Sequence, residues 1–290
     1  VTATIDQQKP YLFVHEADPS KGGAPLETLR EELVNKVQRE ALFDDRRVIV
    51  WHRIKTFQEV SLLQIAEDML VFTPEYQAKN ALPLYIPGSL LEQRLVFREP
   101  VVLYVSRNNP GAREIAQELT QRFKDITLTS TLPVAPNSLS LRRFSGWFDG
   151  NRRSSEAETE CLPTHVLLYL NQQTFVDAMG VELAQEVRNA RAMGLNVAMI
   201  HENDEAHGGC EFSLFFLTTP QDLIDDNLYG ALATAFVSGE HHRRVSYATF
   251  AKVLGAEAAK GSARLVTWKR LRRIFSRRRG EGSQHDRPRG

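Results

Sequence analysis

The chain has 290 residues, 42% of them hydrophobic and 25% charged, which are values of a globular protein and exclude a disordered or fibrous one. Its two cysteines are too few for a disulfide-rich secreted scaffold, and no apolar run reaches the roughly 20 residues of a membrane span. Basic and acidic residues number 36 each, but residues 264–290 hold ten basic and two acidic ones, so an acidic body carries a basic tail.

Two strand–helix units are predicted in residues 10–98, after a flexible N-terminus over residues 1–9. The strands are short apolar runs rich in aromatic and β-branched residues, "PYLFVHE" and "RRVIVWHRI". Each precedes a stretch with helical spacing, "APLETLREELVNKVQRE" and "FQEVSLLQIAEDMLVF". Residues 10–98 are therefore expected to form a partial α/β unit.

A fuller alternation of strands and helices is predicted over residues 99–257. Its strands, such as "PVVLYVS" and "THVLLYLN", are near-continuous apolar runs typical of strands that are buried on both faces. Residues 219–239 are predicted to be helical from Pro220, with Thr219 as the N-cap, and residues 133–161 are predicted as a long loop. The pattern predicts an α/β fold with a mainly parallel sheet flanked by helices, whose ligands bind at the carboxyl ends of the strands.

One motif occurs twice, each time directly after a predicted strand. His-Glu-x-Asp, then three residues, then Gly-Gly begins at His15 and again at His201. Imidazole and carboxylates can bind a divalent metal, which makes His201, Glu202 and Asp204 a minority candidate for a metal site. The alternative is architectural: the carboxylates accept loop N–H groups, the glycines permit the turn, and the two stretches are one duplicated corner.

The basic tail, residues 258–290, has an amphipathic pattern in its first half. Apolar residues recur at helical spacing with basic residues between them, which suits an anionic membrane surface or a protein groove over residues 264–279. A disordered solubilising tail is the alternative, and nucleic-acid binding is not expected because no recognised nucleic-acid-binding module accompanies the tail. We expect a cytoplasmic protein, peripheral to a membrane if the tail docks there. The candidate contact residues are Trp268, Lys269, Arg270, Arg272, Arg273 and Phe275.

Two segments resemble TIR domains, which are signalling and NAD-cleaving modules with a flavodoxin-like sheet. "VVLYVSRNNPGAREIAQEL" is similar to their opening strand and first helix, and "THVLLYLNQQTFVDAMGVELAQEVRNA" to the strand–loop–helix segment that is most diagnostic of them. Asn171 stands where the family has a strand-end serine, and Glu182-Leu183 where it has a Glu-Leu pair. The resemblance covers residues 100–257 and extends to TIR-like regions of large multidomain proteins of unicellular algae and protists.

The resemblance implies a TIR-like signalling and protein-interaction module that self-associates or binds protein partners, as part of a larger protein. It also implies an alternative, an NAD+ nucleosidase with Glu182 as the catalytic carboxylate. Ser106, Arg107, Asn108 and Asn171 would then contact NAD as substrate or ligand, and no other cofactor would be required. The family's Trp-Cys is absent before Glu182, which itself fits a plain acidic residue near the start of a helix. A nucleotide or small-molecule sensor is a further alternative.

Overall fold

The computed structural model describes residues 7, 9–43, 47–76, 84, 92–133 and 162–259. Most of the predicted N-terminus, residues 134–161 of the predicted loop and the basic tail from residue 260 lie outside the described residues. Within the described ranges, no helix combines the length and the apolar character needed to cross a membrane.

The N-terminal unit contains a two-stranded parallel sheet and three helices. Glu16 of the first strand pairs with Trp51 of the second. The helix predicted over residues 25–40 is in fact two, because Leu33 takes an extended conformation and the Asn35 side chain accepts from the backbone N–H of Gln38. The elements are β1 Phe13–Glu16, α1 Leu26–Glu32, α2 Lys36–Phe43, β2 Val48–Trp51 and α3 Lys55–Val71.

The C-terminal domain is built on five parallel strands, in the order β5-β4-β6-β7-β8. They are β4 Val101–Val105, β5 Ile126–Thr129, β6 His165–Leu170, β7 Asn196–Glu202 and β8 Thr234–Phe236. The helices are α4 Ala112–Arg122, α5 Asp177–Ala192, α6 Phe215–Thr218, α7 Gln221–Asp225 and α8 Glu240–Val253. A short antiparallel pair, β3 Leu95–Val96 and β9 Glu257–Ala258, joins the two ends of the domain. The predicted α/β architecture with a mainly parallel sheet is confirmed.

Helices cover both faces of the central sheet, which explains the continuous apolar runs of its strands. One face packs against α4 and α8 through residues such as Leu103, Leu119, Phe236 and Phe250. The other packs against α5 and α6 through residues such as Leu168, Leu183, Val187 and Phe215. Successive residues of a strand point their side chains to opposite faces of the sheet. Because both faces are buried, all of these side chains are removed from water.

The prediction for residues 219–239 is wrong in its extent and its cap. The helix there is only α7; Asn227 then adopts a left-handed conformation at φ 59°, and the chain returns to the sheet as β8. Pro220 occupies the N-cap position, while the Thr219 hydroxyl lies 2.5 Å from the Tyr229 hydroxyl. The strand β8 could not be recognised in the sequence because it has only three residues and its flanking residues are mostly small.

The N-terminal unit packs against the C-terminal domain through α3 and α8. We call this contact the seam; it includes an apolar cluster around Phe57, Val60 and Val245, together with the polar side chains of Ser61, His52 and His242. Within it the Ser61 hydroxyl donates to the Val50 carbonyl at 2.7 Å and lies 3.4 Å from Nε2 of His242. The ring of His52 lies 4.4 Å from that of His242, centroid to centroid.

Candidate functional site

The strand order places a topological switch point between β4 and β6. The chain runs from β4 outward to β5 through α4, and then crosses to the other side of β4 to form β6. The loops after β4 and β6, residues 106–111 and 171–176, therefore lead to helices on opposite faces of the sheet. In open α/β sheets ligands bind where two such loops diverge.

Two buried asparagines hold these loops together. The Asn109 side chain forms two 2.8 Å hydrogen bonds with the backbone of Tyr169, one to its carbonyl and one from its N–H. Nδ2 of Asn171 donates to the Pro110 carbonyl at 2.8 Å, and its Oδ1 accepts from the N–H of Gln173. Asn171, predicted to contact NAD, is 4% exposed and serves to join the loops.

A carboxylate that the sequence did not single out lies beside the β4 loop. Glu186 of α5 accepts a 2.8 Å hydrogen bond from Nδ2 of Asn108 through its Oε1. Its Oε2 is buried and has no hydrogen-bond partner among the described residues. A buried oxygen of this kind usually has a water, an ion or a ligand as its partner, which marks Glu186 as a candidate functional group.

Tyr104 of β4 faces this carboxylate. Burial raises the pKa of Tyr104, and the negative charge of Glu186 raises it further, so the phenol stays protonated and able to donate. The Ser106 hydroxyl and the positive charge of Arg107 act on Tyr104 in the opposite direction. Three of the residues predicted to contact NAD, Ser106 to Asn108, therefore cluster around Glu186 and Tyr104.

Glu182 lies one helical turn before Glu186 and faces solvent. It forms no hydrogen bond or ion pair with any residue that the structure describes. Both glutamates follow the same strand, and helical periodicity places residues four apart on one side of a helix. In the sequence, the one signal for Glu186 is its position next to the apolar stripe of α5, which consists of Leu183, Val187 and Ala190.

The loop that leads into α5 is strained. Phe175 and Asp177 have positive φ angles of 61° and 59°, in a region that side-chain-bearing residues seldom occupy. A Cβ on Gly180 would lie 2.2 Å from the backbone carbonyl carbon of Phe175, so only glycine fits there. Strained backbone concentrates at functional sites, and this loop positions the helix that carries Glu186.

A cleft of about 620 Å³ opens at the carboxyl ends of β4 and β5. It meets the Glu186 cluster at Ser106 and Arg107, which belong to both. The remaining lining comes from the end of β4, from the first half of α4 and from the end of β5 and the residue after it. These residues are Val105, Arg113, Gln117, Leu128, Thr129 and Ser130.

The repeated motif forms the same corner twice. The backbone N–H of Asp18 donates to Glu16, and that of Asp204 donates to Glu202. Each aspartate then caps a short 3-10 turn that ends at a left-handed glycine, Gly22 or Gly208.

The rest of each corner matches as well. Nε2 of His15 and of His201 lies 2.7 Å from a carbonyl nine residues on, in Ala24 and Cys210. An arginine pairs with each glutamate, Arg53 with Glu16 and Arg243 with Glu202. The duplicated architecture thus accounts for the motif.

The metal interpretation of His201, Glu202 and Asp204 finds no support in this geometry. Glu202 is completely buried, and its carboxylate accepts from Arg243 and from the Tyr169 hydroxyl at 2.7 Å. Over the part of the chain that the structure describes, no three His, Cys, Asp or Glu residues are grouped to hold a metal ion. Burial also raises the pKa of Cys210 beside this corner, which disfavours a reactive thiolate.

Comparison of the chain with protein-family models, with curated proteins and with solved structures finds no match. The candidate site is therefore defined by its own geometry.

Proposed function

We propose that the C-terminal domain is a TIR-like, flavodoxin-like domain that cleaves the nicotinamide–ribose bond of NAD, with Glu186 as the catalytic carboxylate. The observation that carries the proposal is Oε2 of Glu186, which is buried at the carboxyl end of the sheet and has no hydrogen-bond partner among the described residues. Numbered along the domain, the strand order is 2-1-3-4-5, which is the order of flavodoxin-like sheets, and these bind their ligand at the first and third strands.

The chemistry suits a carboxylate in this place. When the C–N bond breaks, its electron pair leaves with nicotinamide and positive charge develops on the ribose ring. A carboxylate stabilises that charge, as in glycoside hydrolysis, until water adds to the ribose carbon and releases a proton. Asn108 orients the Glu186 carboxylate, and the protonated Tyr104 beside it supplies a hydrogen-bond donor.

Nicotinamide release from NAD by the purified chain tests this proposal. Glu186→Gln keeps the side-chain volume but removes the charge, and we expect it to lower kcat by about 100-fold or more, the effect of losing one preorganised electrostatic group. Glu182→Gln is the matched control, because it makes the same change one turn away on the exposed part of α5. Activity that is lost in Glu182→Gln and kept in Glu186→Gln would instead support the assignment to Glu182.

A protein-interaction module is the second candidate function. It is favoured by large apolar side chains that face solvent after β7, namely Phe216 at 53%, Leu217 at 83% and Leu232 at 95% exposure. Large exposed apolar side chains, such as the adjacent pair Phe216 and Leu217, can form surfaces that bind other proteins. Absence of nicotinamide release by the wild-type chain, even at high protein concentration, would favour this function over NAD cleavage.

A further inference from the structure

The cleft at the carboxyl ends of β4 and β5 carries an excess of positive charge. Arg107 follows β4, and Arg113 lies in the first turn of α4. No acidic residue lines the cleft among the described residues. Its volume of about 620 Å³ lies within the range of small-molecule sites.

Neither arginine is paired within the part of the chain that the structure describes. Both side chains are exposed, and neither forms an ion pair or a hydrogen bond with another described residue. By contrast, Arg122, at the other end of α4, is paired with Glu92 at 2.9 Å. Two guanidinium groups in one cleft repel each other unless an anion lies between them.

The position of Arg113 adds to this electrostatic cost. The amino end of a helix carries partial positive charge, so a basic residue in the first turn is unfavourable there, and Glu114 in the same turn offsets part of this cost. The N-cap residue is Gly111, which has no side chain to accept the free N–H groups of that turn. A bound anion would reduce the repulsion between the arginines and would accept hydrogen bonds from the uncapped N–H groups.

Polar and apolar groups complete the lining. Hydroxyls of Ser106, Thr129 and Ser130 can donate to phosphate oxygens, and Gln117 can donate through its amide. Val105 and Leu128 provide an apolar wall that inorganic phosphate would leave uncovered. Arginine binds phosphate through paired hydrogen bonds, for which its planar guanidinium is well shaped.

We propose that this cleft binds the phosphate groups of an organic phosphate ligand, held between Arg107 and Arg113. The cleft shares Ser106 and Arg107 with the Glu186 cluster, but Glu186, Tyr104 and Asn108 do not line it, so phosphate binding here can be tested separately from NAD cleavage. The ligand class is a phosphate ester or diphosphate that carries an organic group against Val105 and Leu128.

Calorimetric titration of the full chain with ADP, inorganic pyrophosphate and adenosine tests the proposal. ADP is expected to bind most tightly, pyrophosphate less tightly, and adenosine at least 100-fold more weakly than ADP because it lacks phosphate. Arg113→Gln is expected to weaken ADP binding about tenfold or more, and Arg107→Gln with Arg113→Gln to abolish it. Arg98→Gln is the matched control, because it removes an exposed arginine near the amino end of β4.

Two results would overturn the proposal. One is the absence of any ADP or pyrophosphate binding at millimolar ligand, and the other is equal binding by the wild type and the double variant. Because both arginines are exposed, circular dichroism should show an unchanged fold in every arginine variant.

Discussion

Gly111 is the residue whose replacement gives the sharpest test of the β4–α4 loop. Its φ is +80°, and a Cβ there would lie 2.7 Å from the ring of Tyr169, beneath the loop that carries Arg107 and Asn108. Gly194 at the end of α5 has a similar φ of +73°, but nothing lies within 4 Å of the corresponding Cβ position.

We expect Gly111→Ala to destabilise the domain more than Gly194→Ala does. The left-handed conformation alone costs about 1 kcal/mol with a side chain, and the clash with Tyr169 brings the cost at Gly111 to roughly 3 kcal/mol. Urea unfolding followed by circular dichroism measures the difference. An equal decrease in the free energy of unfolding for the two variants would contradict the tight packing of Gly111 against Tyr169.

At the scale of single residues, the sequence predicted which polar side chains follow the strands better than it predicted their contacts. Ser106, Arg107 and Asn108 follow an apolar strand, and polar residues in that place are expected to line a site. Asn171 met the same criterion, yet its amide bonds the neighbouring loop. Glu182, which the resemblance indicates, and Glu186 differ in burial, and that difference depends on the exact start of α5 and on where its loop enters, which periodicity does not give.

The two His-Glu-x-Asp corners are the clearest repeated element. Each glutamate ends a strand, pairs with an arginine and accepts a backbone N–H, but their burial differs. The Glu202 side chain is 0% exposed, whereas that of Glu16 is 22% exposed. The same glutamate–arginine interaction therefore occurs once in a buried environment and once in a partly exposed one.

We expect Glu202→Gln to be far more destabilising than Glu16→Gln. Removing the charge of Glu202 leaves the largely buried Arg243 guanidinium without a counter-ion, which costs on the order of 3 kcal/mol. Arg53 opposite Glu16 is half exposed and is rehydrated instead. Thermal unfolding of both variants gives the comparison, and a similar fall in Tm for the two would refute the argument from burial.

Elements with strong periodicity were predictable, and those fixed by tertiary contacts were not. The strands β4, β6 and β7 were visible as apolar runs. The break between α1 and α2 depends on a single capping contact from Asn35, and β8 exists because β7 offers it an edge on which to pair. Neither the capping contact nor the pairing at the sheet edge produces a periodic pattern in the sequence.

At the scale of the whole molecule, the seam makes stability depend on pH. Burial lowers the pKa of His242 to about 4, with further contributions from the positive charges of His52 and His241. Burial lowers the pKa of His52 as well, opposed by the charge of Glu16. His242 is therefore neutral in the folded chain when an unfolded histidine is already protonated.

The sign of the dependence follows from proton binding. Between the unfolded pKa of 6.5 and the folded value of about 4, the unfolded state binds more protons, so stability is full above pH 6.5 and is lost as pH falls to 4. We expect His242→Gln to flatten much of this acid dependence in urea unfolding measured from pH 7 to pH 4. A residual slope should remain from His52 and from His165, whose pKa burial also lowers. An unchanged slope would show that His242 is not protected from protonation.

The duplication has a consequence for how the two parts of the molecule are held together. α3 follows β2 and α8 follows β8 after linkers of equal length, 52–54 and 237–239, so the seam joins equivalent helices of the two copies. Contact between equivalent surfaces is what joins identical subunits in a symmetric dimer. Because both helices belong to one chain, the linkage gives each an effective concentration of about the millimolar range for the other. Covalent linkage thus lowers the affinity that this contact needs in order to form.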